Sequence, residues 1–172
     1  GEVLIVQTMA DLSGVNLPLY NCLSSTHADT VQVSAITSVN CGNKGISTLI
    51  GLDYFTGLQS LRIGNSPAST GPLNTFDTIE EVHSLSNLYG VDVSGIGGLN
   101  EVKISSAVAG LDDLQYLYIA NIGLSDIPNL TNTNRLSLDV LDISGNNINS
   151  LTSLPQSVVN IPGLYHLIAD GN

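Results

Sequence analysis

The chain has 172 residues, enough for one domain with a real core, and 42% of them are hydrophobic, 11% charged and 5% aromatic. So few aromatics point to a core of Leu, Ile and Val laid down in repeated small layers. Fifteen acidic residues against four basic ones give a net charge of −11, which argues against nucleic acid and anionic membranes as partners, because phosphate binding needs clustered Lys and Arg; beyond that the acidity implies no more than solubility.

No apolar run approaches the ~18 residues of a membrane-spanning helix, so no membrane insertion is expected. Val3 to Val6 is too short for a signal peptide and lacks a basic flank, and Gly1 stands where an initiator Met would, as at a processing or cloning scar. Residues 1–32 break the pattern that follows, with Asp11-Leu-Ser-Gly, Pro18 and the apolar run Leu19 to Leu23. A repeat array needs an atypical end to cover its first layer of core, so this segment is expected to be an N-terminal cap with one or two short helices. Cys22 and Cys41 lie 19 residues apart with no CxxC and no His at ligand spacing, which argues against zinc. They either pair, in an oxidising compartment, or remain as two small buried thiols.

From Val33 onward the apolar residues fall in threes that end in a two. Val33, Ile36 and Val39 lead to Cys41; Ile46, Leu49, Leu52, Phe55, Leu58 and Leu61 lead to Ile63. An α-helix would alternate threes and fours, so unbroken threes fit a tightly wound, partly 3₁₀ or extended coil, and the closing two has strand spacing. One such turn cannot cover its own apolar side and needs copies stacked on it. Residues 64–75, rich in Gly, Ser, Pro and Thr, read as a loop bulging from a corner, a tolerated insertion rather than a functional element. Phe76, Ile79, Val82, Leu85 and Leu88 then lead to Val91 and Val93. Val102-x-Ile104, only 11 residues beyond Val91-x-Val93, reads as a strand or extended rung on the back of the same turn. Later turns run through Leu114 to Leu117 and Ile119, through Leu136 and Leu138 to Leu141 and Ile143, and through Leu151, Leu154, Val158, Ile161 and Leu164 to Leu167 and Ala169. Successive steps from Val39 are 22, 30, 26, 24 and 26 residues. The chain stops on Asn172 in mid-repeat, as a fragment would, or as a turn covered by another subunit would.

Six segments line up, from Ile36-x-x-Val39-x-Cys41 and Leu58-x-x-Leu61-x-Ile63 to Leu164-x-x-Leu167-x-Ala169. The pattern over residues 33–172 resembles the leucine-rich repeat signature L-x-x-L-x-L-x-x-N. Within that superfamily, NCGNKGISTLIGLDYFTGLQSLRIGN is similar to the 22-residue repeats of bacterial internalin-like surface proteins. Cys22 followed by Cys41 in the first strand is similar to arrangements in secreted bacterial members. The resemblance implies an α/β solenoid: a right-handed curved coil with a parallel sheet on its concave face, an irregular or 3₁₀ convex side and an N-terminal cap. It also implies a secreted or cell-surface location, recognition of a macromolecule and no catalysis. The corner Asn departs from the pattern: Asn146 and Asn172 keep the spacing, whereas Asn43, Asn65 and Asn121 come one residue early and Gly95 replaces it in the Val91 turn. An interrupted Asn ladder is therefore expected.

Strand alternation sends Leu61 and Ile63 inward and their neighbours outward. Two of the six Tyr residues, Tyr116 and Tyr118, fall in one outward strand, flanked by Asp92 and Asp142. Tyr is a stiff, amphipathic contact residue enriched at hot spots, so these four, with outward Arg62 and His166, are the candidate partner-binding residues; cross-strand packing is the bland alternative. Tyr89 and Tyr165 are placed at the sheet edge, Asp112-Asp113 and Glu80-Glu81 as solvated charge on the convex side, and Gly95-x-Gly97-Gly98 as a corner needing positive φ. His27, His83 and His166 sit in different turns, so no catalytic constellation and no cofactor is expected. The expected function is a non-catalytic module binding a protein, or else a glycan, through the concave face. The alternative is a structural spacer that presents other domains.

Overall fold

The structure, a computed structural model, describes residues 5–130, 138–149, 161 and 163–172. The rungs expected at Leu136, Leu151, Leu154 and Val158, and the first two residues of the Val3 to Val6 run, lie outside these residues.

Six three-residue strands form one parallel sheet in chain order: β1 (Ser38–Asn40), β2 (Ser60–Arg62), β3 (Gly90–Asp92), β4 (Tyr116–Tyr118), β5 (Val140–Asp142) and β6 (His166–Ile168). Their register aligns Val39, Leu61, Val91, Leu117, Leu141 and Leu167 in one row. All but the last are buried; Leu167, on the terminal strand, is 37% exposed. The unequal steps between strands therefore do not disturb the sheet, because the extra residues are taken up elsewhere in each turn.

The threes have a direct physical cause. Leu52, Phe55 and Leu58 each donate a backbone N–H to the carbonyl three residues earlier, at 2.9, 3.0 and 2.8 Å. Val82, Leu85 and Leu88 repeat the pattern at 3.1, 3.0 and 3.0 Å. A chain wound with i→i+3 bonds eclipses every third side chain, so one apolar residue in three is enough to line the inside. Short 3₁₀ segments at Val33–Ala35, Leu52–Tyr54 and Glu80–Ser84 mark these limbs. Ile46, Leu49, Leu52, Phe55, Leu58, Leu61 and Ile63 are all fully buried in one continuous core.

Val102-x-Ile104 is not a strand. Glu101–Val108 is an α-helix (α3, named after the two helices described below), in which Val102 is 72% exposed and Ile104, Ala107 and Val108 are buried. Asn100 caps it by accepting from the Lys103 N–H at 3.0 Å, and the 104/107/108 spacing is helical. The two-residue spacing of 102 and 104 was coincidental.

The 64–75 loop returns to the core. Asn74, 1% exposed, donates its Nδ2 to the carbonyls of Cys41 and Ile63, each at 2.8 Å. Its Oδ1 accepts the Lys44 and Ile46 amides at 3.1 and 2.9 Å. Asn146 makes the equivalent set between the turns after β4 and β5, donating to the Ile119 and Ile143 carbonyls and accepting from the Ile122, Gly123 and Leu124 amides. Asn172 bonds the Ile143 and Ala169 carbonyls. The ladder that looked vacant at Asn43 and Asn65 is thus filled from a distance by Asn74, which Asn65 holds through its own Oδ1 and Nδ2. Asn43 and Asn121 instead take left-handed conformations, with φ 53° and 55°, which Asn tolerates better than most residues.

Two helices precede the sheet, α1 (Met9–Val15) and α2 (Leu17–Leu23). Thr8 and Asp11 form a capping box on α1. Asn16 ends α1, caps α2 through the Leu19 N–H, and donates to the Thr48 and Ile50 carbonyls at 2.8 and 3.2 Å. Met9, Leu12, Leu19 and Leu23 bury into the same core as the first turn. Cys22 of α2 is disulfide-bonded to Cys41, next to β1, with Cα atoms 5.9 Å apart.

Candidate binding face

The outward residues form two rows. One runs Ser38, Ser60, Gly90, Tyr116, Val140, His166, and the other Asn40, Arg62, Asp92, Tyr118, Asp142, Ile168. Ser60, Arg62, Gly90, Asp92, Tyr116 and Tyr118 surround a depression of about 140 Å³ on this face. Tyr89, just before β3, completes its wall. Its ring meets Tyr116 edge-on, with centroids 6.3 Å apart and planes at 76°, a favoured aromatic geometry. Of the six expected residues, four therefore come together. Asp142 neighbours Tyr118 in register, and His166 lies exposed two strands from Tyr116.

Tyr89, expected at the sheet edge, stands immediately before β3 and lines the same depression as the strand residues. Leu88 is buried and so is Val91, so the two residues between them both face outward. The L-x-x-L step, not strand parity, governs position 89. Tyr165 holds the equivalent place before β6 and is 81% exposed.

Gly90 lines the depression without a side chain. A Cβ there would stand 3.9 Å from the Tyr116 Cβ and 4.0 Å from the Ser60 Oγ, ordinary contact distances, so a larger residue at 90 would occupy part of this space. Asp92 and Asp142 also have a local role. Each accepts a backbone N–H two residues on, from Ser94 at 3.0 Å and Ser144 at 2.9 Å, and so ends its strand. Arg62 is exposed, and its guanidinium makes no hydrogen bond or ion pair among the described residues.

Two perturbed carboxylates lie on the return limbs, Glu81 in a 3₁₀ segment and Glu101 in α3. Glu80 is exposed, but Glu81 is half-buried with its Oε2 enclosed and, among the described residues, without a partner, so it is not the solvated charge the sequence suggested. Burial above all, then Asp53 and Glu80 nearby, pushes its carboxyl above the usual range, partly offset by its own backbone N–H. Glu101 shows the reverse. Burial raises it, but its own backbone N–H, those of Asp126 and Ser125, and the Ser125 hydroxyl together hold it below the usual range. Among the described residues no group of three or more His, Cys, Asp or Glu is placed to hold a metal ion, and no helix is long and apolar enough to cross a membrane.

The chain superposes on the internalin InlF of Listeria monocytogenes with a TM-score of 0.59 at 16% identity, over 94% of this chain and 51% of that one. The fold is that of a leucine-rich repeat. A second such repeat protein, the functional domain of InlJ from Listeria monocytogenes, which includes a cysteine ladder, aligns with a TM-score of 0.54 at 15% identity, over 88% of this chain and 41% of that one. The leucine-rich repeat described here thus spans about half the length of InlF. No protein-family profile and no curated protein sequence matches it.

Proposed function

We propose that this chain is a non-catalytic recognition module of a secreted or bacterial surface protein, binding a protein partner through the outward face of its sheet. That face is read as the concave side of a right-handed coil, the hand that parallel β crossovers take almost without exception. Residues 1–32 are read as its cap. The observation that carries the proposal is the meeting of Tyr89, Tyr116, Tyr118 and an unpaired Arg62 around an open depression. Tyr and Arg are the residue types that dominate hot spots, and hot spots lie in pockets that water leaves on binding. The disulfide supports an oxidising location. Asp92 and Asp142 are given a smaller part, since each already ends a strand.

The test is Tyr116→Ala combined with Tyr118→Ala. The double variant should lose the partner with its unfolding midpoint changed little, because both side chains lie outside the core. Full affinity in a folded double variant would move the site elsewhere. A spacer would instead show no partner for the isolated chain in a pull-down.

A further inference from the structure

We propose that the depression over Gly90 is a socket for one neutral aromatic side chain of the partner, best a tyrosine. This rests on the sheet face being the binding surface and adds what enters it. Its volume of about 140 Å³ is close to that of an engineered cavity that admits a benzene ring, about 150 Å³. Two of its walls, Tyr89 and Tyr116, already stand edge to face, and Tyr118 adds a third aromatic side chain around the same space. A further ring would extend the cluster in the geometries aromatic rings prefer.

The polar lining selects the ring. Arg62 and Asp92 are register neighbours on adjacent strands, and both line the socket. The Asp92 carboxylate uses Oδ1 for the Ser94 amide, and its side chain makes no other hydrogen bond among the described residues. A guanidinium only donates and a carboxylate only accepts, whereas a phenol hydroxyl does both. A tyrosine can therefore accept from Arg62 and donate to Asp92. A cationic side chain would meet Arg62 and an anionic one Asp92, so a charged occupant is opposed by one of the two. Phenylalanine would fill the space but leave both groups unanswered.

N-acetyl-tyrosinamide, N-acetyl-phenylalaninamide and N-acetyl-leucinamide serve as probes, followed by the NMR shifts of the Gly90, Tyr116 and Tyr118 amides. The tyrosine probe should shift them saturably and bind several-fold tighter than the phenylalanine probe, with the leucine probe weakest. Gly90→Val fills the socket from its floor without demanding a left-handed backbone and should abolish binding of all three. Asp92→Asn keeps an acceptor for Ser94, and Arg62→Met keeps the stem; each should erase the preference for tyrosine over phenylalanine while ring binding remains. No saturable shift in the wild type, equal binding of the leucine probe, or unchanged binding in Gly90→Val overturns the socket. A tyrosine preference that survives both polar variants overturns the role of Arg62 and Asp92. If the probes bind as expected but Tyr116→Ala with Tyr118→Ala keeps the natural partner, the depression holds a ring but the partner does not use it, and both the binding face and the assignment of the socket to the partner fall; loss of the partner in that variant with no probe binding in the wild type overturns the socket alone.

Discussion

At the residue scale, single side chains hold buried backbone that the coil itself leaves without partners. Asn74 answers two carbonyls and two amides, and leaving such groups unpaired costs ~1–3 kcal/mol each before relaxation or water entry. Asn74→Ala should therefore lower stability by at least about 2 kcal/mol in urea unfolding. Two carboxylates give pH effects of opposite sign. Glu81 has a raised folded value, so its ionisation opposes folding: its contribution is best below the ordinary 4.5 and falls as pH rises through the folded value. Glu81→Gln should stabilise the protein at neutral pH, with the gain shrinking toward pH 4 in thermal melts. Glu101 has a lowered folded value, so the stability it provides is full above the ordinary 4.5 and is lost as pH falls through the folded value. Glu101→Gln should destabilise at neutral pH and converge with the parent in acid.

At the element scale, the turns that lead to β2 and β3 pair a short strand with a limb wound in threes, and the sequence shows this well wherever the limb is regular. Leu58-x-x-Leu61-x-Ile63 gives register and facing directly, because the spacing is the consequence of i→i+3 bonds followed by alternation. It shows less where a limb changes type. Val102-x-Ile104 mimics strand spacing, and the helix is visible only when Asn100 as a cap and the 104/107/108 stripe are weighed together. Asn74 was hidden because its ladder partners are 33 and 11 residues away, so no local pattern marks it. Tyr89 was left out of the site because it precedes β3, where strand spacing does not fix the side chain; its contact with Tyr116 is set by the fold. α2 and the start of the sheet are joined covalently by Cys22 and Cys41, closing a loop of sequence separation 19. For a loop of this length, constraint of the unfolded chain is worth about 3 kcal/mol. Cys22→Ser with Cys41→Ser should lose stability of that order in chemical denaturation, and dithiothreitol should have no further effect on the variant.

At the scale of the whole molecule, the six strands share one register although successive turns differ in length. The surplus residues go to the 64–75 loop, to α3 and to the other return limbs, which leaves the outward face of the sheet as a continuous surface of mixed polar and aromatic side chains. A repeat built from contacts between neighbouring turns supports such a surface without a deep cleft. The molecule is strongly acidic, yet the one basic residue on the outward strand positions, Arg62, lies at the aromatic cluster. Recognition is therefore expected to depend on ring packing more than on net charge, and partner binding should weaken only modestly between low and physiological salt.

The central claim is that the partner sits on Tyr89, Tyr116 and Tyr118. Oxidative footprinting by hydroxyl radicals reads tyrosine exposure residue by residue, in the free protein and in its complex. Tyr89, Tyr116 and Tyr118 should be protected on binding, while Tyr165, 81% exposed and three strands from Tyr89 in the sheet, should change less. Unchanged labelling of the three sheet-face tyrosines in a saturated complex would contradict the account.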